Sequence, residues 1–145
     1  MLIKLIEKKE ELVQIIDLMD YIKKSTSIDE CGAIYSFEGI MRGKENEDVV
    51  TKLILTTPDK NKTEREMEEI GKDIKSKFGV KEIAIVHYIG EFYTGDPMFL
   101  VCVGGAHRKE TLNALTEIIE RVKFDLDFKK EEYIGDKTNT ILSGG

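Results

Sequence analysis

The residues of this sequence whose types and positions suit chemistry are nearly all cations. Arg42 ends a strand-like run, His107 and Arg108 follow Gly104-Gly105, Lys123 closes a helical run, and Lys129 and Lys130 come just after it. Val101-Cys102-Val103 is apolar and β-branched, it stops at the two glycines, and helical spacing begins directly behind them. The first N–H groups of a helix lack intrahelical acceptors and the helix dipole is positive there, so His107 and Arg108 stand at a natural anion site. A lysine crowded by cations and partly buried loses its proton more readily, which suits acid–base work or a covalent intermediate. From the residues alone the expectation is a phosphorylated small-molecule ligand handled by lysine or histidine acid–base chemistry. Each residue also has a plainer reading. Lys123 complements the dipole of a last helical turn, Arg42 is a solvated loop residue, Lys129 and Lys130 belong to an exposed strand face, and His107 is a structural histidine.

Other chemistries find no support. No Ser/His/Asp or Cys/His order stands out, no P-loop or G-x-G-x-x-G occurs, and Gly104-Gly105 is too short for a dinucleotide fingerprint. Cys31 and Cys102 are far apart with no CxxC, so both are expected to be buried and reduced, with no metal and no disulfide. The formal charge of −6 disfavours general nucleic-acid or anionic-membrane binding. No apolar run reaches a membrane span, and Met1 to Glu7 lacks the long apolar centre of a signal peptide, so the chain reads as cytoplasmic. Its 145 residues, 34% charged and 41% apolar, suit one domain over 1–145.

The elements that must position the cations follow from periodicity. Strands are expected over 2–7, 32–43, 49–57, 80–92, 98–103 and 128–134, with Gly43 to Asp48 a loop and turns at Gly95-Asp96-Pro97 and Gly135-Asp136. Helices are expected over 10–24, with Leu12, Ile15, Ile16, Met19 and Ile22 inward, and over 63–78, opened by a Thr63/Glu66 capping box and closed by Gly79. A third helix, 109–124, carries Leu112, Leu115, Ile119 and Val122 inward, with Lys123 at the border of that stripe. This pattern is an α+β domain with helices against a mixed or antiparallel sheet.

Four stretches then occur together in order: Gly32-Ala33-Ile34-Tyr35-Ser36-Phe37-Glu38-Gly39-Ile40-Met41-Arg42, His87-Tyr88-Ile89-Gly90-Glu91-Phe92-Tyr93-Thr94-Gly95-Asp96, Val101 to Arg108, and Lys123 to Glu131. With these, the chain resembles the large, catalytic subunit of molybdopterin synthase, the MoaE family, most strongly over 32–132. The resemblance implies an α/β-hammerhead fold with additional antiparallel strands and three main helices. It implies a homodimer whose large subunits each bind a small ubiquitin-like sulfur carrier, forming a heterotetramer. The carrier's C-terminal Gly-Gly thiocarboxylate would supply sulfur to cyclic pyranopterin monophosphate, forming the dithiolene of molybdopterin, with no cofactor. Catalysis falls on Lys123 and a second lysine, and substrate binding on Arg42, His107, Arg108 and Lys129.

The second lysine has two readings. Seven-residue spacing from Lys123 selects Lys130, whereas Phe128 standing for the family's Trp selects Lys129; spacing constrains geometry more and favours Lys130. The family's usual Pro and Trp are replaced by Asp127 and Lys129 on that spacing. An alternative is therefore a non-catalytic relative that only binds a carrier protein or phosphorylated pterin. The sequence also ends Leu142-Ser143-Gly144-Gly145, read either as a plain tail or as a segment able to enter a pocket.

Overall fold

The computed structural model describes residues 1–142. Its centre is the antiparallel pair β6 (Glu82–Phe92) and β7 (Pro97–Gly105), held in register from Glu82 opposite Gly104 to His87 opposite Phe99. Both strands are apolar without alternation, and Ile83 to Ile89 and Phe99 to Gly105 are buried. Such runs form when a sheet is covered on both faces.

The two glycines of β7 show how that cover is arranged. Successive strand residues point to opposite faces. A Cβ on Gly104 would stand 2.7 Å from Ile22 Cγ2, whereas one on Gly105 would stand 2.2 Å from Thr111 Oγ1. Ile22 belongs to α1 (Ile15–Lys23) and Thr111 to α3 (Arg108–Asp125), so these helices press on opposite faces of the same strand end. The glycines serve close helix approach on both sides. Gly105 is the last residue of β7, and His107 is the N-cap of α3.

Around this centre, β2 (Ala33–Ile40) pairs with β7, and β1 (Leu2–Glu7) runs parallel to β6. Strand β6 bends at Gly90, whose φ of 124° only glycine adopts readily, and its far end pairs with β5 (Lys52–Thr56). Beyond β5 come β8 (Lys129–Ile134) and β9 (Lys137–Leu142), joined through Gly135-Asp136. Together they make a sheet of seven strands, and α2 (Lys60–Phe78) packs beside α3 and over β1. The α+β class expected from the sequence is the class observed.

Several local expectations change. Helix α2 starts at Lys60, because Asp59 caps it by accepting the Lys62 N–H at 3.1 Å; the Thr63/Glu66 box is not the cap. Thr63 is instead buried, with its hydroxyl 2.7 Å from that of Thr57. Helix α1 starts at Ile15, where Asp17 accepts the Gln14 N–H at 2.8 Å, and it buries Leu18 and Ile22 while Leu12 and Ile16 face solvent. On α3 the inner face is Thr111, Ala114, Leu115, Ile118 and Val122, and Leu112 is exposed. The expected 43–48 loop is a small hairpin, β3 (Lys44–Glu45) with β4 (Asp48–Val49), and 137–142 is a strand. Cys102 is fully buried but Cys31 only partly so, and both thiols are free. The Gly144-Gly145 end lies outside the described residues.

Candidate active site

A cavity of about 610 Å³ lies between the C-terminal half of α3 and the strands, lined by Arg42, Glu45, His87, Lys123, Lys130 and Glu132 among apolar neighbours. Alternation in β8 selects its occupants. Phe128, just before the strand, and Lys130 and Glu132 all line the cavity, while Lys129 and Glu131 do not. Lys130 lies opposite Leu55 on β5 and Ile141 on β9, both also in the wall.

Lys130 is half-buried, with its ammonium 3.8 Å from the Glu132 carboxylate. Its pKa is lowered, first by burial; the Glu132 charge opposes this and the Lys123 charge adds to it, with weaker effects from Glu45 upward and Arg42 downward. Lys123 arrives from the last turn of α3, one residue after fully buried Val122 and four after Ile119, another wall residue. A cation at this end of a helix is favoured by the dipole, so the fold itself holds a lysine here. Arg42 follows β2 at the mouth, its guanidinium exposed and 2.9 Å from Glu45 of the small hairpin. A phosphate entering there would compete with Glu45 for the guanidinium, whose planar fork suits such an anion.

Of the residues named from sequence, Arg42, Lys123 and Lys130 are brought together and three are not. Lys129 points away, half-exposed and 3.3 Å from Glu131. His107 and Arg108 stand at the start of α3, and the helix rise puts Arg108 about 22 Å along the axis from Lys123. His107 is exposed, with Nδ1 3.4 Å from Glu110, so an acidic residue shares that helix start. One chain therefore does not place its helix-start cations in its own lysine cavity.

Three features of the cavity were missed from sequence. Glu132 has no part in the sequence-based expectations, and Phe128 enters them only as a substitute for a family Trp. Their i, i+2, i+4 spacing through Lys130 was the available signal. His87 appeared within a motif without a role. It is buried, and its ring stacks on Phe128 with centroids 4.6 Å apart and lies 4.9 Å from Phe99. Burial lowers its pKa to about 4, against the opposing bond to the Tyr88 carbonyl. Buried Cys102, with its thiol pushed up to about 11 mainly by burial, is outside the cavity and unreactive. Among the described residues no cluster of His, Cys, Asp and Glu could hold a metal ion, and no helix is long and apolar enough to cross a membrane.

This arrangement can be set beside known proteins. A family model described as MoaE protein matches residues 12–125, which include Arg42, His87, His107, Arg108 and Lys123 and stop short of Lys130. The molybdopterin synthase catalytic subunit of Dictyostelium discoideum is 34% identical over 132 residues, covering 90% of this chain and 82% of that one. The structure of molybdopterin synthase from Staphylococcus aureus superposes with a TM-score of 0.82 at 23% identity, over 96% of both chains. A chain from the complex of subunits 1 and 2 of molybdopterin-converting factor from Helicobacter pylori 26695 gives 0.71 at 23% identity, over 93% of this chain and 86% of that one. The two structures speak for the fold. The family model and the Dictyostelium relative go further, and with them the chain belongs to the MoaE protein family.

Proposed function

We propose that this cavity is the active site of a molybdopterin synthase, and that the chain is its catalytic, sulfur-transferring subunit. Sulfur comes from the C-terminal thiocarboxylate of a small ubiquitin-like carrier and goes to cyclic pyranopterin monophosphate, in two transfers that build the dithiolene. The observation that carries this reading is the meeting of Lys123 and Lys130 in one cavity with Arg42 at its mouth, in a chain of this family.

The division of labour follows from charge and burial. Lys130, with its lowered pKa, is the group best able to accept a proton or to add as a neutral amine. Lys123 neutralises the entering thiocarboxylate or holds the carrier's acyl group once sulfur has left. Arg42 takes the phosphate end of the substrate. His107 and Arg108 then act only if a second copy brings its α3 start to this cavity, which gives the homodimer a chemical reason. The carrier docks at the mouth; that a chain of this fold occurs in a complex of subunits 1 and 2 of molybdopterin-converting factor from Helicobacter pylori supports such an association. Residues 1–145 work as one domain, in the cytoplasm, where free thiols such as Cys31 and Cys102 persist.

Reconstitution tests this directly. Purified chain, thiocarboxylated carrier and cyclic pyranopterin monophosphate should yield molybdopterin, and Lys123→Ala should abolish turnover while the carrier still binds. Turnover that survives Lys123→Ala would remove the lysine from catalysis; no turnover by the unaltered chain would leave a carrier- or pterin-binding relative.

A further inference from the structure

The sulfur chemistry makes no use of His87, yet its placement is the most constrained of the cavity's polar side chains. Strand β6 sets it opposite Phe99, and its ring lies between Phe99, tilted by 31°, and Phe128, tilted by 21°. A ring held between two faces presents its edge, not its face, to the cavity. Nδ1 is 2.8 Å from the Tyr88 carbonyl oxygen, which only accepts, so Nδ1 carries the hydrogen and donates it. In the neutral ring Nε2 is then a bare acceptor, and burial keeps the ring neutral at working pH.

Two charged pairs of the wall are matched. Arg42 faces Glu45 at 2.9 Å and Lys130 faces Glu132 at 3.8 Å, while lysine and arginine offer only donors. Nε2 makes no hydrogen bond to a described residue, whereas the Glu45 and Glu132 carboxylates of the wall are already paired with cations. Nε2 is not sealed off from the cavity, so its lone pair is available to a donor that enters.

We propose that His87 Nε2 accepts a hydrogen bond from a ring N–H or amino group of the substrate's nitrogen heterocycle, making His87 a specificity-determining residue of the pocket. The inference rests on the pterin reading of the site and assigns the heterocyclic end of the substrate to the Phe99–His87–Phe128 wall, away from Arg42 at the mouth. Ligands with an acceptor at that edge are rejected, because two lone pairs would then face each other.

Two measurements test it. The chain has two histidines, so ¹⁵N-histidine NMR reads His87 directly, assigned by its loss in His87→Phe. Free protein should show protonated Nδ1 and bare Nε2, and saturating cyclic pyranopterin monophosphate should shift Nε2 in the sense of an accepted hydrogen bond. In kinetics, His87→Phe keeps the stacked ring and should raise KM for the pterin about tenfold, the factor that one lost hydrogen bond carries, with kcat and carrier affinity little changed. His87→Gln, which restores an acceptor oxygen, should recover most of that loss. An unmoved Nε2 resonance on saturation, or equal KM values for the unaltered chain and both variants, overturns the proposal. Failure of the unaltered chain to transfer sulfur overturns the parent reading instead, and the two failures are separately visible. If His87→Phe does not fold, the NMR titration and His87→Gln decide alone.

Discussion

Lys130 and Glu132 stand two residues apart on one face of β8, their charged groups 3.8 Å apart inside the cavity that Lys123 enters from α3. The carboxylate raises the lysine's pKa while burial and the second lysine lower it, so the pair sets how much neutral amine exists at a given pH. Replacing Glu132 by Gln removes the raising influence and leaves the others. The acid limb of the kcat–pH profile should therefore move to lower pH if the neutral Lys130 is the working form. A limb that moves to higher pH, or stays in place, contradicts that assignment.

The alternation of β8 separates two neighbouring lysines. Lys130→Ala should reduce turnover on the order of 10²-fold or more, the scale of a lost acid–base group. Lys129→Ala should leave it within about twofold, because its half-exposed pair with Glu131 contributes little. Steady-state assays of the two variants side by side check this; a larger loss in Lys129→Ala would make Lys129, not Lys130, the second catalytic lysine.

A shared site has its own signature. If His107 and Arg108 serve the partner's cavity, Arg108→Ala and Lys123→Ala are each nearly inactive alone, while an equal mixture refolded together regains about a quarter of full activity. Each mixed dimer then holds one intact site. Recovery near zero would mean that both residues serve the same chain's site or that the dimer does not form.

His87 also predicts an acid-side loss of stability. Its folded pKa of about 4 lies below the 6.5 of an unhindered imidazole, so between these values the unfolded chain binds more protons. The contribution is fully present above pH 6.5 and is lost as pH falls towards 4, amounting to about 3 kcal/mol. Urea midpoints compared across this range should show the unaltered chain losing stability relative to His87→Phe as pH falls. Parallel curves would show that His87 charges without cost.

The two glycines of β7 give a packing test. Gly104→Ala and Gly105→Ala each bring a methyl group too close to a helix, at 2.7 Å from Ile22 and 2.2 Å from Thr111. Each should destabilise by about 1–3 kcal/mol, as overpacking does, and Gly105→Ala the more because its neighbour is the Thr111 hydroxyl that donates to the His107 carbonyl at 2.6 Å. Thermal midpoints equal to that of the unaltered chain would mean that the helices can move aside at no cost.

Sequence alone determined the alternation of apolar runs and helical stripes, and hence the α+β class and the positions of α2, α3, β6 and β7 to within a few residues. These are local properties: spacing of 2 or 3.6 and the residues that stop it. The order of four motifs was also local and led to the family. Tertiary structure decided the rest, because it depends on which elements meet. Helix α3 is long enough to carry Arg108 and Lys123 to opposite ends, which no motif spacing reveals. The glycine junction looked like a phosphate cradle, but the helices on its two faces account for both glycines. Lys130 and not Lys129 faces Lys123 because pairing with Leu55 and Ile141 sets which side of β8 is inward. His87 acquires its tautomer and its open nitrogen only from a carbonyl and two rings that packing brings to it.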